Sequence, residues 1–185
     1  MQKIEKGLGA SGEQLEKLIK ERIRTIEDYP KKGVTFRDLT PLFRDRRAFN
    51  ACIAALADRI GDKADVIVGI EARGFIVGAA VASRMELGFV PIRKESKLPW
   101  DKIKREYILE YGTGKLEIHK DAIAKGERVA IVDDLLATGG SSHAAVELVE
   151  ELGGRIDAIA FIVELSQLNG REKLKGYNVF SLAKY

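Results

Sequence analysis

The amino-acid sequence predicts an α/β fold, an open and mainly parallel five-stranded sheet flanked by helices. Three observations carry that prediction. Short runs of β-branched and apolar residues recur from residue 65 onward, each short enough to be a buried strand. Stretches with apolar residues at helical spacing alternate with them. Small-residue, glycine-containing turns follow two of the strands, where an α/β sheet presents its ligands.

The elements follow in order. Residues 1–10 carry no regular pattern. Ser11 with Gln14 reads as a capping box, and Leu15, Leu18, Ile19, Ile23 and Ile26 form the apolar stripe of a first helix ending before Tyr29–Pro30. Asp28 to Gly33 is turn chemistry throughout. Val34 to Pro41 reads as a short extended piece. A helix near 46–60 buries Phe49, Cys52, Ile53, Leu56 and Ile60, and Gly61 ends it. The first core strand, Val66 to Ile70, leads through Glu71-Ala72-Arg73-Gly74 into a helix ending near Gly88. Phe89 to Ile92 is the second strand, with Arg93 and Lys94 at its end. Residues 95–106 are polar and aperiodic, a loop of the length that usually serves function. Tyr107–Tyr111 and Lys115–His119 read as a hairpin around Gly112-Thr113-Gly114. Val129 to Val132 is the third core strand, and Ala145, Leu148, Val149 and Leu152 mark the helix after it. Ala158 to Val163 and Val179 to Leu182 complete the sheet. The whole chain, 1–185, reads as a single domain.

Composition narrows the function. Of 185 residues, 45% are hydrophobic and 32% charged, with a net charge of +3, which is the balance of a soluble globular protein. The charge is interspersed rather than gathered into a basic stripe, so no nucleic-acid partner is expected. There is no apolar run of membrane-spanning length, so no membrane partner is expected either, and the expected compartment is the cytoplasm. Cys52 has no partner for an intrachain disulfide and sits on an apolar helical face as a small core residue.

The chemistry gathers after the third strand. Asp133 and Asp134 stand at its carboxyl end, and Ala137-Thr138-Gly139-Gly140-Ser141 then turns into a helix. Glycines let backbone N–H groups approach an anion, hydroxyls stand beside them, and the helix aims its positive end at the same place. A phosphate cradle thus faces two acids. No lysine follows Gly140, which excludes a P-loop, and the acids precede the glycines, which excludes a dinucleotide fingerprint. His143, alone on the first helical turn, reads as a local cap or surface contact.

The string Val132 to Gly140 resembles the phosphoribosyl-diphosphate (PRPP) motif of type I phosphoribosyltransferases, in the form seen in adenine phosphoribosyltransferases. Three further strings are similar to that family: Gly33-Val34-Thr35-Phe36-Arg37-Asp38-Leu39-Thr40-Pro41, Glu71-Ala72-Arg73-Gly74-Phe75 and Tyr107-Ile108-Leu109-Glu110-Tyr111-Gly112. The resemblance implies the type I fold with a small hood built from about 1–41 and the loop 95–106. It implies formation of AMP and diphosphate from adenine and PRPP. In this resemblance Asp133 and Asp134 hold the ribose, and Ala137, Thr138, Gly139, Gly140 and Ser141 hold the 5′-phosphate. Ala72, Arg73, Gly74, Arg93, Lys94 and Lys97 contact diphosphate. Val34, Phe36, Arg37 and Glu110 meet adenine, with Phe36 stacking, the Arg37 main chain reading the base edge and Glu110 exchanging a proton. Glu110, Asp133, Asp134 and Arg73 are the catalytic candidates. Magnesium is the expected cofactor, carried on the substrate and held by Asp133 and Asp134 through water, with no direct protein cage. A homodimer is expected. Two alternatives stay open at this level: transfer to another purine or pyrimidine base, and a non-catalytic PRPP-binding regulator. Ser141 where threonine is commoner, and Glu71 where aspartate is frequent, are the departures from the family pattern.

Overall fold

The structure, a computed structural model, describes residues 12–109 and 112–185. Two compact units are present, Met1–Cys52 and Ile53–Tyr185. The predicted capping residue Ser11 lies outside the described residues.

In the first unit, α1 (Gly12–Arg22) is followed by β1 (Arg24–Ile26), which pairs antiparallel with β2 (Phe36–Asp38), Ile26 opposite Phe36. The predicted first helix is therefore too long. Thr25 and Ile26 are β-branched and take the extended form once a partner strand is available. α2 (Thr40–Arg44) starts with Pro41 in its first turn, where a missing N–H costs nothing. Asp45 then accepts from the N–H groups of Arg47 and Ala48 at 2.9 and 3.0 Å and from Arg22 Nε at 2.7 Å. It thereby caps α3 (Arg46–Ile60) and ties it to the end of α1.

The second unit is built on one sheet. Its strands are β3 (Val66–Ile70), β4 (Gly88–Lys94), β5 (Lys102–Leu109), β6 (Gly112–His119), β7 (Arg128–Leu136), β8 (Arg155–Glu164) and β9 (Val179–Lys184), in the order β5-β6-β4-β3-β7-β8-β9. The five strands β4, β3, β7, β8 and β9 are mutually parallel, as predicted. The sheet has seven strands rather than five because the hairpin β5–β6 joins its edge, with Arg93 and Lys94 antiparallel to Glu117 and Leu116. The polar stretch 95–106 is accordingly a loop only to residue 101, and 102–106 belong to β5. That strand is charged because it is an edge, where lysines and arginines discourage further pairing.

Two connections position the site. α4 (Arg73–Met85) links β3 to β4, and α5 (Gly140–Glu151) links β7 to β8. From the central pair β3–β7 the chain thus travels outward in opposite directions, which makes the β3/β7 boundary the topological switch point of the sheet. Val66, Val68, Ile70, Val129 and Ile131 pack with Ala145, Leu148 and Val149 of α5 in the main core. Every residue of β3 is buried, which is why its sequence is a continuous apolar run.

At the opposite end of β3, Asp65 takes the Arg128 guanidinium on both carboxylate oxygens, at 2.5 to 3.1 Å, and the Arg128 N–H at 3.0 Å. The Arg128 side-chain and backbone hydrogen bonds bring the Asp65 carboxyl down to about 2, against about 3.9 in an unfolded chain. A folded-state value below the unfolded one means stability that is complete above about pH 3.9 and lost as pH falls toward 2. Arg128→Gln is therefore expected to remove part of the acid dependence in that window alone, read from urea midpoints between pH 2 and 6.

Candidate active site

In the second unit, the predicted residues 72–74 follow the carboxyl end of β3, Arg93 and Lys94 end β4 beside it, and Asp133 to Ser141 span the end of β7 and the start of α5. Asp133 and Asp134 are buried, at 9% and 4% exposure, inside β7 rather than after it. The ladder to β8 continues past them, pairing Asp133 with Phe161 and Leu135 with Val163. The two carboxylates are held differently. Asp134 Oδ2 accepts from Arg73 Nε at 2.5 Å, whereas Asp133 Oδ1 accepts from the Asp134 N–H at 2.9 Å. Burial, reinforced by the neighbouring Asp134 charge, holds the Asp133 carboxyl well above the usual carboxylate range. The site thus contains one acid matched to a cation and one acid with spare affinity for positive charge or for hydrogen-bond donors.

Gly74 makes this packing possible. A Cβ built there would lie 2.6 Å from Asp133 Oδ1, so any side chain would displace the acid. Ala72 and Gly74 flank Arg73 at the start of α4, and the Glu71–Ala72 peptide is cis. The Glu71 side chain ties the turn to the adjacent strand. It accepts from Arg93 Nε at 3.1 Å and from the Lys94 N–H at 3.0 Å. Burial opposes its charge, but these donors outweigh it and hold the carboxyl below its ordinary value. Arg93 also donates to the Lys97 carbonyl at 3.1 Å, so this candidate braces the loop base, while the Lys94 and Lys97 side chains are exposed.

Both helices at the switch point begin without a side-chain cap. The N-cap of α4 is Ala72 and that of α5 is Gly139, neither makes a side-chain capping bond, and neither helix has an acid in its first turn. Two positive helix ends with uncapped first-turn N–H groups therefore flank the buried acid pair. Gly139, at φ 74°, has the left-handed conformation that the turn requires. Thr138 and Ser141 are half-buried beside it. Chemically, this arrangement can receive a ligand with two separated anionic groups and a hydroxylated or cationic middle.

Sequence reasoning missed Tyr107 and Lys173. Together with Glu106, Gly140, His143 and Ala144 they line a cavity of about 310 Å³ at the start of α5. Burial, and then the charge of Asp133, raises the Tyr107 phenol above its ordinary value. In the sequence Tyr107 stood only in a hairpin strand and in a string similar to the family's, because its place beside the start of α5 depends on the hairpin docking there. His143 is a surface residue with Nδ1 3.6 Å from Glu147.

In the first unit, the Phe36 ring is half-buried and meets Tyr29 edge-on, with centroids 5.2 Å apart. Arg37 Nη1 donates to Thr25 Oγ1 at 2.5 Å across the β1–β2 pair. Val34 closes the turn before them, its carbonyl accepting from the Tyr29 N–H at 3.0 Å. Asp28 pins the same turn through the Gly33 N–H at 2.6 Å. Glu110 lies outside the described residues.

The chain is similar to known proteins along most of its length. The family model for the phosphoribosyl transferase domain matches residues 40–183. An adenine phosphoribosyltransferase of Clostridium kluyveri is 54% identical over 168 residues, covering 90% of this chain and 98% of the relative. The crystal structure of the adenine phosphoribosyltransferase from Thermoanaerobacter pseudethanolicus superposes with a TM-score of 0.88 at 53% identity, covering 92% of this chain and 99% of that one. The Saccharomyces cerevisiae enzyme, complexed with an imino-altritol bisphosphate and adenine, gives a TM-score of 0.85 at 41% identity over 91% and 98% of the two chains.

Proposed function

The chain belongs to the adenine phosphoribosyltransferase family, and from that premise we propose how its residues join adenine to PRPP. The activity is a pentosyl transfer that gives AMP and diphosphate. The observation that carries the residue assignments is the pair of uncapped helix N-termini on either side of the buried acids. The α5 end, with Ala137 to Ser141, takes the 5′-phosphate. The α4 end, with Ala72, Arg73 and Gly74, takes the diphosphate, and Lys94 and Lys97 add charge from the exposed loop base.

In the reaction the bond from ribose C1 to the diphosphate oxygen breaks, its electron pair leaves with diphosphate, and adenine N9 supplies the pair for the new bond. Positive charge develops on the sugar between these events. Asp133 and Asp134 accept hydrogen bonds from the ribose hydroxyls and stabilise that charge, with no covalent intermediate needed. Phe36 stacks on the base, Val34 and the Arg37 main chain meet its edge, and Glu110 accepts the proton released as N9 is alkylated.

Among the described residues, no group of three or more histidine, cysteine or carboxylate side chains could cage a metal. Two adjacent carboxylates, one already engaged by Arg73, fit a magnesium ion that arrives on the substrate and keeps its waters. Asp133 and Asp134 would hold it through those waters. When bound, it neutralises the leaving diphosphate. The working form we propose is a homodimer in the cytoplasm. No helix among the described residues is long and apolar enough to cross a membrane.

The test supplies purified protein with PRPP, magnesium and one base at a time. AMP from adenine, with hypoxanthine and guanine giving less than about a hundredth of that rate, is the expected result, since unmatched polar edges in a base site cost several kcal/mol. Equal rates with hypoxanthine would overturn the assignment of Val34, Phe36 and Arg37.

A further inference from the structure

The turn that cradles the 5′-phosphate in this reading does not support itself. Beyond β8 the chain passes through two short 3-10 turns, Ser166–Leu168 and Gly170–Leu174. The second presses on residues 137–139. A Cβ on Gly170 would lie 2.1 Å from the Ala137 carbonyl oxygen and 2.9 Å from the Gly139 nitrogen, and a Cβ on Gly139 would lie 2.3 Å from the Gly170 carbonyl oxygen. The two backbones are in direct contact, and only glycine at both positions permits it.

Gly170 is held in place from both sides. Asn169 before it adopts φ 52°, and Arg171 after it is clamped. Arg171 Nε donates to Glu164 Oε1 at 3.0 Å, Nη2 to Glu164 Oε2 at 2.5 Å, and Nη1 to the Val179 carbonyl at 2.7 Å. Ser181 Oγ donates to the same Glu164 carboxylate at 2.9 Å. Glu164 is itself buried, at 6% exposure. The Leu165 N–H donates to the Leu136 carbonyl at 2.9 Å, which ties this segment to the last residue of β7. A bidentate pair, anchored on β8 and β9, thus fixes the height of one glycine beneath the turn.

We propose that Gly170, held by the Arg171–Glu164–Ser181 clamp, is a positioning residue that sets the geometry of the 137–141 phosphate turn. The inference rests on the reading of that turn as the phosphate site. It explains a half-buried ion pair that touches no reacting group, and it assigns to residues 164–171 a share in sugar-phosphate affinity. A displacement of about an ångström at a binding group is enough to change rates about a hundredfold.

The test compares Gly170→Ala and Arg171→Lys with a control, Gly154→Ala. A Cβ at Gly154 would meet Ile123 and Val149 side chains at 2.8 Å, so the control strains packing at the far end of α5. Steady-state constants, thermal midpoints and calorimetric titration with ribose 5-phosphate are read for each. Gly170→Ala is expected to raise KM for PRPP at least tenfold and weaken ribose 5-phosphate equally, with KM for adenine within twofold of wild type. Arg171→Lys, which keeps the charge but loses the bidentate fork, is expected to shift KM for PRPP less, in the same direction. Gly154→Ala is expected to lower the midpoint without that split. If Gly170→Ala does not fold, the Arg171→Lys split decides. Unchanged KM for PRPP in the glycine variant, or the same pattern in the control, overturns the inference while leaving the phosphate reading intact. Wild-type protein that fails to bind ribose 5-phosphate overturns both.

Discussion

Asp133→Asn is expected to make the protein more heat-resistant at neutral pH and to lower kcat/KM for PRPP about 100- to 1,000-fold. The two effects have one cause. Burial and the adjacent Asp134 charge raise the Asp133 carboxyl in the folded state. A folded-state value above the unfolded one means that the native protein binds the proton more tightly, so stability falls as pH rises from about 3.9 through the raised folded value. Asparagine abolishes that loss. Its carbonyl oxygen can still accept from the Asp134 N–H, which Asp133 Oδ1 now does at 2.9 Å. The gain in thermal midpoint should therefore be greatest at pH 8 and vanish near pH 4. Activity falls because the amide cannot stabilise a positive sugar as a carboxylate does. Midpoints measured by calorimetry across that range check the first half, and initial rates check the second. A lower midpoint at pH 8 with unchanged activity would remove Asp133 from the site.

Arg73→Ala is expected to act in the opposite sense on stability and in the same sense on rate. It strips the guanidinium from Asp134, whose side chain is 5% exposed, while the Arg73 side chain is 41% exposed. Breaking a fully buried pair costs several kcal/mol, but water can reach half of this one, so the expected loss is about 1–2 kcal/mol. The rate should fall about a hundredfold, because a fork of donors at the diphosphate is lost as well. Arg73→Lys should retain part of both. In the double variant Arg73→Ala with Asp134→Asn, much of the lost stability should return while activity stays low. Urea denaturation of the four proteins measures that coupling. Additive losses would show that the 2.5 Å contact contributes nothing.

Much of this was legible in the sequence because the chemistry sits at strand ends, where local patterns are strongest. Val129 to Val132 announces a buried parallel strand, and Ala137 to Ser141 announces a helix start that a phosphate can occupy. What the strand rule could not see is that β7 runs on through Asp133, Asp134 and Leu135. Aspartate is a poor strand former, yet pairing with β8 overrides propensity there. The charged segment Lys102 to Glu106 looked like a loop for a similar reason, since only Ile103 marks its inner face. Ile26 matched the helical period of α1 and instead faces Phe36 across a short ladder. Gly170 carried no local signal, because its role depends on a backbone contact with residues far earlier in the chain.

Amide hydrogen exchange with and without PRPP and magnesium would place the ligand on the chain. Slowed exchange confined to residues 72–75 and 138–143, with further protection around 34–38 when the products AMP and diphosphate replace PRPP, is the result expected of two helix N-termini flanking an acid pair. Protection of neither helix start, in a protein that still forms AMP, would show that the sugar phosphate is held elsewhere.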